Sequence, residues 1–442
     1  MDIDQILFRL TIRHEPDRNC TIARLQDSSL VETLIHYARL HKVAMPALRH
    51  LAIWAPEISL SADDMQYLED RVALRSHYTA ELNELARSGV LEPQSVLILK
   101  GQAMERWYVN GILRDSSDID LVVGDEQQVW AVSKWLIQRG YDSLGMGAAY
   151  ADRDEPGQRR SIVAYWKELS GNSQPTRFEI QDRLTSITLR EYFDLTPTMY
   201  RARPVHASPL GSGDQAKEPR FFLFPTREDC LISLLVEICE RTLTVRDAVD
   251  FYMLIQRRSD SGGTEHIDWN RLLDIIEKEA LLLQFIRLTH YYLHLSQFAL
   301  PEIMGRRYRT WLRRYPYWRI ATRSPILSYV LPFHLSKHGY AQALQEVLLN
   351  LRERIRDSSS LRKVFLRTRL SALRYHSRAD HPIVFLLQIG HQGAELVEWR
   401  SGPNDEMLLY TPVGVFMATR DIEFTEEFLM EMRNVVNHAT FE

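Results

Sequence analysis

Two aspartates one residue apart, Asp118 and Asp120, lie in "LRDSSDIDLVVGD", where the apolar run reads as a strand. Side chains at i and i+2 of a strand point to the same face, so the two carboxylates project together while Ile119 and Leu121 pack on the other side. At that range they repel, and one takes up a proton unless a cation lies between them. A divalent metal removes that cost. Mg²⁺ favours a few carboxylates together with waters and phosphate oxygens over a full protein cage, so the pair points to phosphate chemistry. Upstream, "LILKGQA" ends a strand at Lys100 and turns at Gly101. The missing side chain there would let the main chain approach a triphosphate, with the amides that open the next helix aimed at its phosphates.

These residues need elements to hold them, and the apolar patterning supplies candidates. Residues 1 to 90 read as helices; "SADDMQYLEDRVALRSHYTAELNELARSG" opens on Ser61 as an N-cap and closes at Gly89. Between 91 and 193 the pattern changes to an α/β unit with a mixed sheet. "SVLILK" is a short buried strand, "GQAMERWYVNG" a helix, "DIDLVVG" a second strand, and "DEQQVWAVSKWLIQRG" an amphipathic helix stopped by Gly140. After a Gly-, Asp- and Arg-rich loop, "SIVAYWKEL" and "TRFEIQDRL" read as two more strands. Residues 194 to 300 comprise a polar connection and a helical region, 301 to 380 a basic helical region, and 381 to 442 a small antiparallel β-rich segment closed by a helix near 425 to 437. No internal repeat is present.

The ordered set "LILKGQA…LRDSSDIDLVV" resembles the strand, glycine turn, helix and Asp-x-Asp strand of the nucleotidyltransferase (DNA polymerase beta-like) superfamily. More closely it is similar to a bacterial group of uncharacterised nucleotidyltransferases, with upstream "HKVAMPALRHL" and downstream "TVRDAVDFYMLI" and "IDWNRLLDII" matching that group's helical flanks. The resemblance spans roughly residues 30 to 295. It implies an α+β fold in which a nucleotidyltransferase core, a mixed sheet with flanking helices, is embedded between helical regions. It also implies a third carboxylate on a later strand, which "RFEIQ" supplies as Glu179, with Asp182 the next candidate. The group's usual Asp-hydrophobic-His is here Glu179-Ile180-Gln181, and the superfamily's Gly-Gly or Gly-Ser is Gly101-Gln102.

By the same resemblance, Asp118, Asp120 and Glu179 would hold Mg²⁺ or Mn²⁺, with Glu179 completing the second metal site or accepting the acceptor's proton. Lys100, Gly101, Ser116 and Ser117 would bind the nucleoside triphosphate, ATP by default. A nucleoside monophosphate would pass to a hydroxyl or phosphate on a peptide, protein, small molecule or RNA. A strand-end lysine reaching to water and serines serving turn chemistry are the plainer readings of Lys100, Ser116 and Ser117. The alternative function is a non-catalytic interaction protein built on a relic nucleotidyltransferase core. Against it, a relic has no reason to keep buried like charges.

The 442 residues, 45% apolar and 25% charged, suit two or three globular domains. No apolar run is long enough for a membrane span, and "MDIDQILFRLTIRHEP" lacks signal-peptide character, so a cytoplasmic location is expected. Cys20, Cys230 and Cys239 match neither a disulfide framework nor a zinc spacing. The net charge of −4 conceals a stretch from Ile303 to Arg378 with 17 Lys and Arg against 3 Asp and Glu. Aromatic residues interleave with these cations in "RRYRTWLRRYPYWR", so the stretch is a candidate dock for an anionic acceptor, with a solvated helix face as the plainer reading. Arg246 and Asp250, at i and i+4, read as a helix-surface pair of ~0.2–0.5 kcal/mol, and His266 as an exposed loop residue.

Overall fold

The computed structural model describes residues 2–12, 28–56, 58–92, 95–108, 112–116, 118–143, 146–151, 159–169, 175–182, 203–205, 222–240, 243–256, 267–278, 281–296, 298–314, 383–391, 393–395, 397–401 and 407–419. Helices come first: α1 (Ile3–Ile12), α2 (Ser28–Leu40), α3 (Ala44–Trp54) and α4 (Ala62–Arg87). Ser61 caps α4 by accepting the Asp64 N–H at 3.1 Å, as its position before an acidic first turn predicts. The α/β unit follows with β1 (Val96–Leu99), α5 (Lys100–Glu105), β2 (Ile119–Val122), α6 (Glu126–Gln138), β3 (Asp142–Ser143), β4 (Met146–Ala151), β5 (Arg159–Lys167) and β6 (Thr176–Gln181). Asp125 caps α6 through the Gln128 N–H at 2.8 Å, and Gly140, at φ +80°, supplies the left-handed residue that ends it.

The polar connection contains two strands that its composition conceals, β7 (Arg203–Val205) and β8 (Phe222–Phe224). Helices α7 (Arg227–Glu240), α8 (Val245–Ile255), α9 (Trp269–Lys278), α10 (Leu282–Leu295) and α11 (Glu302–Arg314) come next, and β9 (Ile383–Gly390), β10 (Glu398–Ser401), β11 (Met407–Thr411) and β12 (Gly414–Thr419) complete the described elements.

The strands form one mixed sheet in the order β10-β11-β12-β9-β4-β5-β6-β2-β1-β8-β7, with β3 beside β5. Its centre is β6-β2-β1-β8, where β2 runs parallel to β6 and antiparallel to β1, and β1 runs parallel to β8. Every residue of β1 and β2 is buried, which is why "VLIL" and "IDLV" carry no polar side chain except Asp120. Helix α5 packs on β1 and β2, and α6 on β5 and β6. The C-terminal strands form the expected antiparallel group, and β9 joins it to the core by pairing with β4 from Met146↔Leu387 to Tyr150↔Ile383. One hydrophobic core runs from Ile6 to Phe416, and Trp130 of α6 meets Phe416 of β12 with ring centroids 5.1 Å apart. Among the described residues no helix is long and apolar enough to cross a membrane. The helix expected near 425 to 437, with Cys20 and His266, lies outside the described residues.

Candidate active site

Register on three adjacent strands assembles the site. Leu99, the last residue of β1, lies opposite Asp120 of β2, and Asp120 lies opposite Glu179 of β6. Lys100, the next residue after β1, reaches across both: its Nζ is 2.7 Å from Asp120 Oδ1 and 3.5 Å from Glu179 Oε1. The lysine backbone has φ +47°, a left-handed conformation that residues bearing side chains rarely adopt. The Asp120 side chain is fully buried, whereas those of Lys100 and Glu179 are 33% and 38% exposed, so the cluster faces solvent on one side.

The charges are mutually dependent. Burial pushes the Asp120 carboxyl well above its ordinary range; Lys100 pulls it back, and the negative charges of Asp118 and Glu179 push it further up. Burial also works against the Lys100 ammonium, but attraction from Asp120, Glu179 and Glu237 outweighs it and holds the lysine well above its usual pKa. Asp120 Oδ2 is buried with no hydrogen-bond partner. A buried carboxylate oxygen left without a donor is costly, and a cation is the partner its chemistry suits.

The turn after β1 is tighter than the sequence suggests. The helix opens at Lys100 itself, with Gly101 inside its first turn. A Cβ on Gly101 would collide with Ser116 Oγ and lie 3.1 Å from Ser116 Cβ, so the glycine is required by the close approach of the loop before β2. Gln102, in the place of the superfamily's second small residue, donates from Nε2 to the Asp118 carbonyl at 2.9 Å. That bond ties the Asp-x-Asp segment to α5. Ser116 Oγ is buried without a hydrogen-bond partner beside this contact. Ser117 lies outside the described residues.

The loop that carries Ser116 and Asp118 is clamped by charged side chains from two helices. Arg71 of α4 meets Asp115 at 3.1 Å, and Tyr67 donates to the same carboxylate at 2.9 Å. Arg75 pairs with Glu105 at 3.0 Å, and Glu105 also accepts the Arg114 N–H at 3.2 Å. From the other side, Arg114 forms a bidentate pair with Asp250 of α8, both contacts at 2.9 Å, and the Tyr108 hydroxyl donates to Asp250 at 2.6 Å. Asp250 therefore serves the site's loop rather than its i−4 neighbour; Arg246 pairs with Glu237 at 3.3 Å. The sequence reading missed Arg71, Arg114 and Asp115. A usable signal was present for one partner, since Asp250 is a lone charge inside the apolar run "AVDFYMLI".

Other candidates fall elsewhere. Asp182 is 4% exposed just past the end of β6. Cys230 is a buried free thiol that burial pushes up to about 12. Of the basic stretch, residues 303–314 are described, and there Arg307 pairs with Asp274 and Glu277 of α9, Arg314 with Glu277, and Arg306 with Glu302. Arg313 is exposed, and the rest of the stretch lies outside the described residues.

Among the described residues no three His, Cys, Asp or Glu side chains are gathered as a metal-holding group; the member that sits between Asp120 and Glu179 is the Lys100 ammonium. The donor set nevertheless fits a divalent cation. A positive charge already bridges the two carboxylates, and Asp120 Oδ2 remains an acceptor without a donor. No curated protein and no solved structure matches the chain. Residues 27–297, more than half of the chain and including every residue of the cluster just described, match the family model for uncharacterised nucleotidyltransferases, and the chain belongs to that family.

Proposed function

We propose that this protein transfers a nucleoside monophosphate, AMP by default, from a nucleoside triphosphate to a hydroxyl or phosphate oxygen of an acceptor, with Mg²⁺ or Mn²⁺. Membership of the family supports nucleotidyl transfer in general. The observation that carries the finer reading is the strand-end cluster of Asp120, Glu179 and Lys100, with Asp118 two residues before Asp120. Asp118, Asp120 and Glu179 would hold the metal, which supplies charge neutralisation of the triphosphate and acidity to the acceptor hydroxyl. Gly101 lets the loop that carries Ser116 pack against the turn at Lys100, and Lys100, Ser116 and Ser117 bind phosphate oxygens. The acceptor oxygen bonds to the α-phosphorus as the α–β bridging bond breaks. Pyrophosphate leaves, and the acceptor's proton passes to the Glu179 carboxylate, which solvent can reach.

The test is incubation of the protein with each labelled triphosphate, Mg²⁺ or Mn²⁺ and a cell lysate, with identification of whatever acquires label. Label in the wild type and none in Asp120→Asn is the expected result. One observation favours the alternative of a non-catalytic interaction protein: a lysine that neutralises buried carboxylates is also how a relic site could keep them. Binding of a triphosphate that is strictly metal-dependent separates the readings, since the relic has no use for the ion.

A further inference from the structure

Lys100 combines features that are seldom found together. It is not a glycine or asparagine, yet it holds a left-handed backbone, and the strain is retained where its side chain meets Asp120 and Glu179. A divalent cation drawn to the unpartnered Asp120 Oδ2 would share the Asp120 and Glu179 carboxylates with the lysine. Ammonium and metal are therefore rivals for the same two carboxylates, and both cannot be bound there at contact distance without placing like charges together. The lysine has an exit, because a third of its side chain faces solvent on a flexible four-carbon stem. A triphosphate on the solvent-facing side of the cluster would offer it replacement oxygens.

We infer that Lys100 is a resident counter-ion that makes metal and nucleotide bind together: it neutralises Asp120 and Glu179 in the free protein and yields them to the metal only when phosphate oxygens are present to receive it. The inference rests on the proposed reaction, and it adds what that reaction does not require, a coupling between two ligands carried by one side chain. Coupling of this kind is reciprocal. If nucleotide tightens metal binding by some factor, metal tightens nucleotide binding by the same factor. The free protein then holds little metal, and the Asp120 oxygens are never left as bare like charges beside Asp118 and Glu179.

The experiment is Mn²⁺ titration of the full chain, followed by the paramagnetic signal of free Mn²⁺, with and without a non-hydrolysable analogue of each of the four triphosphates in turn, corrected for Mn²⁺ held by the analogue in solution. In the wild type the effective analogue should tighten Mn²⁺ at least tenfold. In Lys100→Met, Mn²⁺ alone should bind at least tenfold tighter than to the wild type, and the analogue should add less than threefold. Lys100→Gly, which relieves the backbone strain, should behave like Lys100→Met and guards against a folding defect in either variant. Lys100→Arg, which keeps the charge, should retain weak binding of Mn²⁺ alone. In metal-free buffer Lys100→Met should melt below the wild type and recover with Mn²⁺. If the wild type binds Mn²⁺ with an analogue but neither neutral variant gains affinity for Mn²⁺ alone, the counter-ion role is overturned while the reaction stands. If Mn²⁺ binds neither the wild type nor the variants under any condition, the metal reading of the site falls, and this inference with it.

Discussion

Asp120 gives one oxygen to Lys100 and buries the other without a partner, so its removal should be felt both in activity and in stability. Asp118→Asn and Asp120→Asn each delete a proposed metal ligand with little change in volume, and transfer should fall by at least ~10²-fold in either. Burial, with Asp118 and Glu179, raises the Asp120 carboxyl against the pull of Lys100. Asp120→Asn leaves the Lys100 ammonium with only the more distant Glu179, so in EDTA at pH 8 the variant should melt below the wild type. Glu179→Gln should lower kcat by about 10²-fold with a smaller effect on triphosphate KM, measured by steady-state kinetics. At this scale the sequence was legible in placing Asp120 within a buried strand, whereas Asp118 falls just before it. It was not legible where a cross-strand partner decides. The Lys100 side chain meets carboxylates because of a positive φ and a β1–β2–β6 register, and neither can be read from "LILKGQA".

Among the elements, β1, β2, β5 and β6 were legible because their apolar runs are bounded by polar turns. β4 was not, since "MGAAYA" has small residues and no alternation, and β7 and β8 are each three residues long inside a polar connection. The clamp on the loop before β2 is likewise a property of packed elements. The side chains of Arg114 and Asp250 are 3% and 0% exposed. Removing either partner alone, as in Arg114→Met or Asp250→Asn, should cost ~3–5 kcal/mol because the other charge is left buried. The double variant should cost no more than either single one, as read by urea denaturation. A second contact between helices should titrate. His41, just after α2, accepts the Val245 N–H at the start of α8 on Nδ1 at 3.1 Å. Burial pulls His41 below its ordinary 6.5, against the raising effect of Asp4 on α1 and Asp247 on α8. A depressed histidine contributes stability that is full above the unfolded pKa and is lost as pH falls through the folded one. The urea midpoint of the wild type should thus drop more between pH 7.5 and pH 5 than that of His41→Gln, an illustrative interval of about two units around the ordinary histidine pKa.

Across the whole molecule, the charge asymmetry was visible in the composition, but its disposition was not. At least part of the basic stretch is answered from within, by Asp274 and Glu277 on α9, and exposed pairs of that kind contribute ~0–1 kcal/mol each. The C-terminal strands are tied to the core more firmly than their distance in sequence suggests. Phe416 is 1% exposed against Trp130, so Phe416→Ala should cost ~3–5 kcal/mol, read as a lowered urea midpoint in tryptophan fluorescence. The β4–β9 pairing also sets a schedule. β4 is complete once Ala151 has been made, but the strand that covers its outer edge begins only at Ile383. At ~5–20 residues per second of synthesis, that edge waits on the order of tens of seconds on the ribosome for its partner. An unpaired edge is a template for any passing strand, so the nascent chain is exposed to mispairing in the interval between the synthesis of β4 and that of β9.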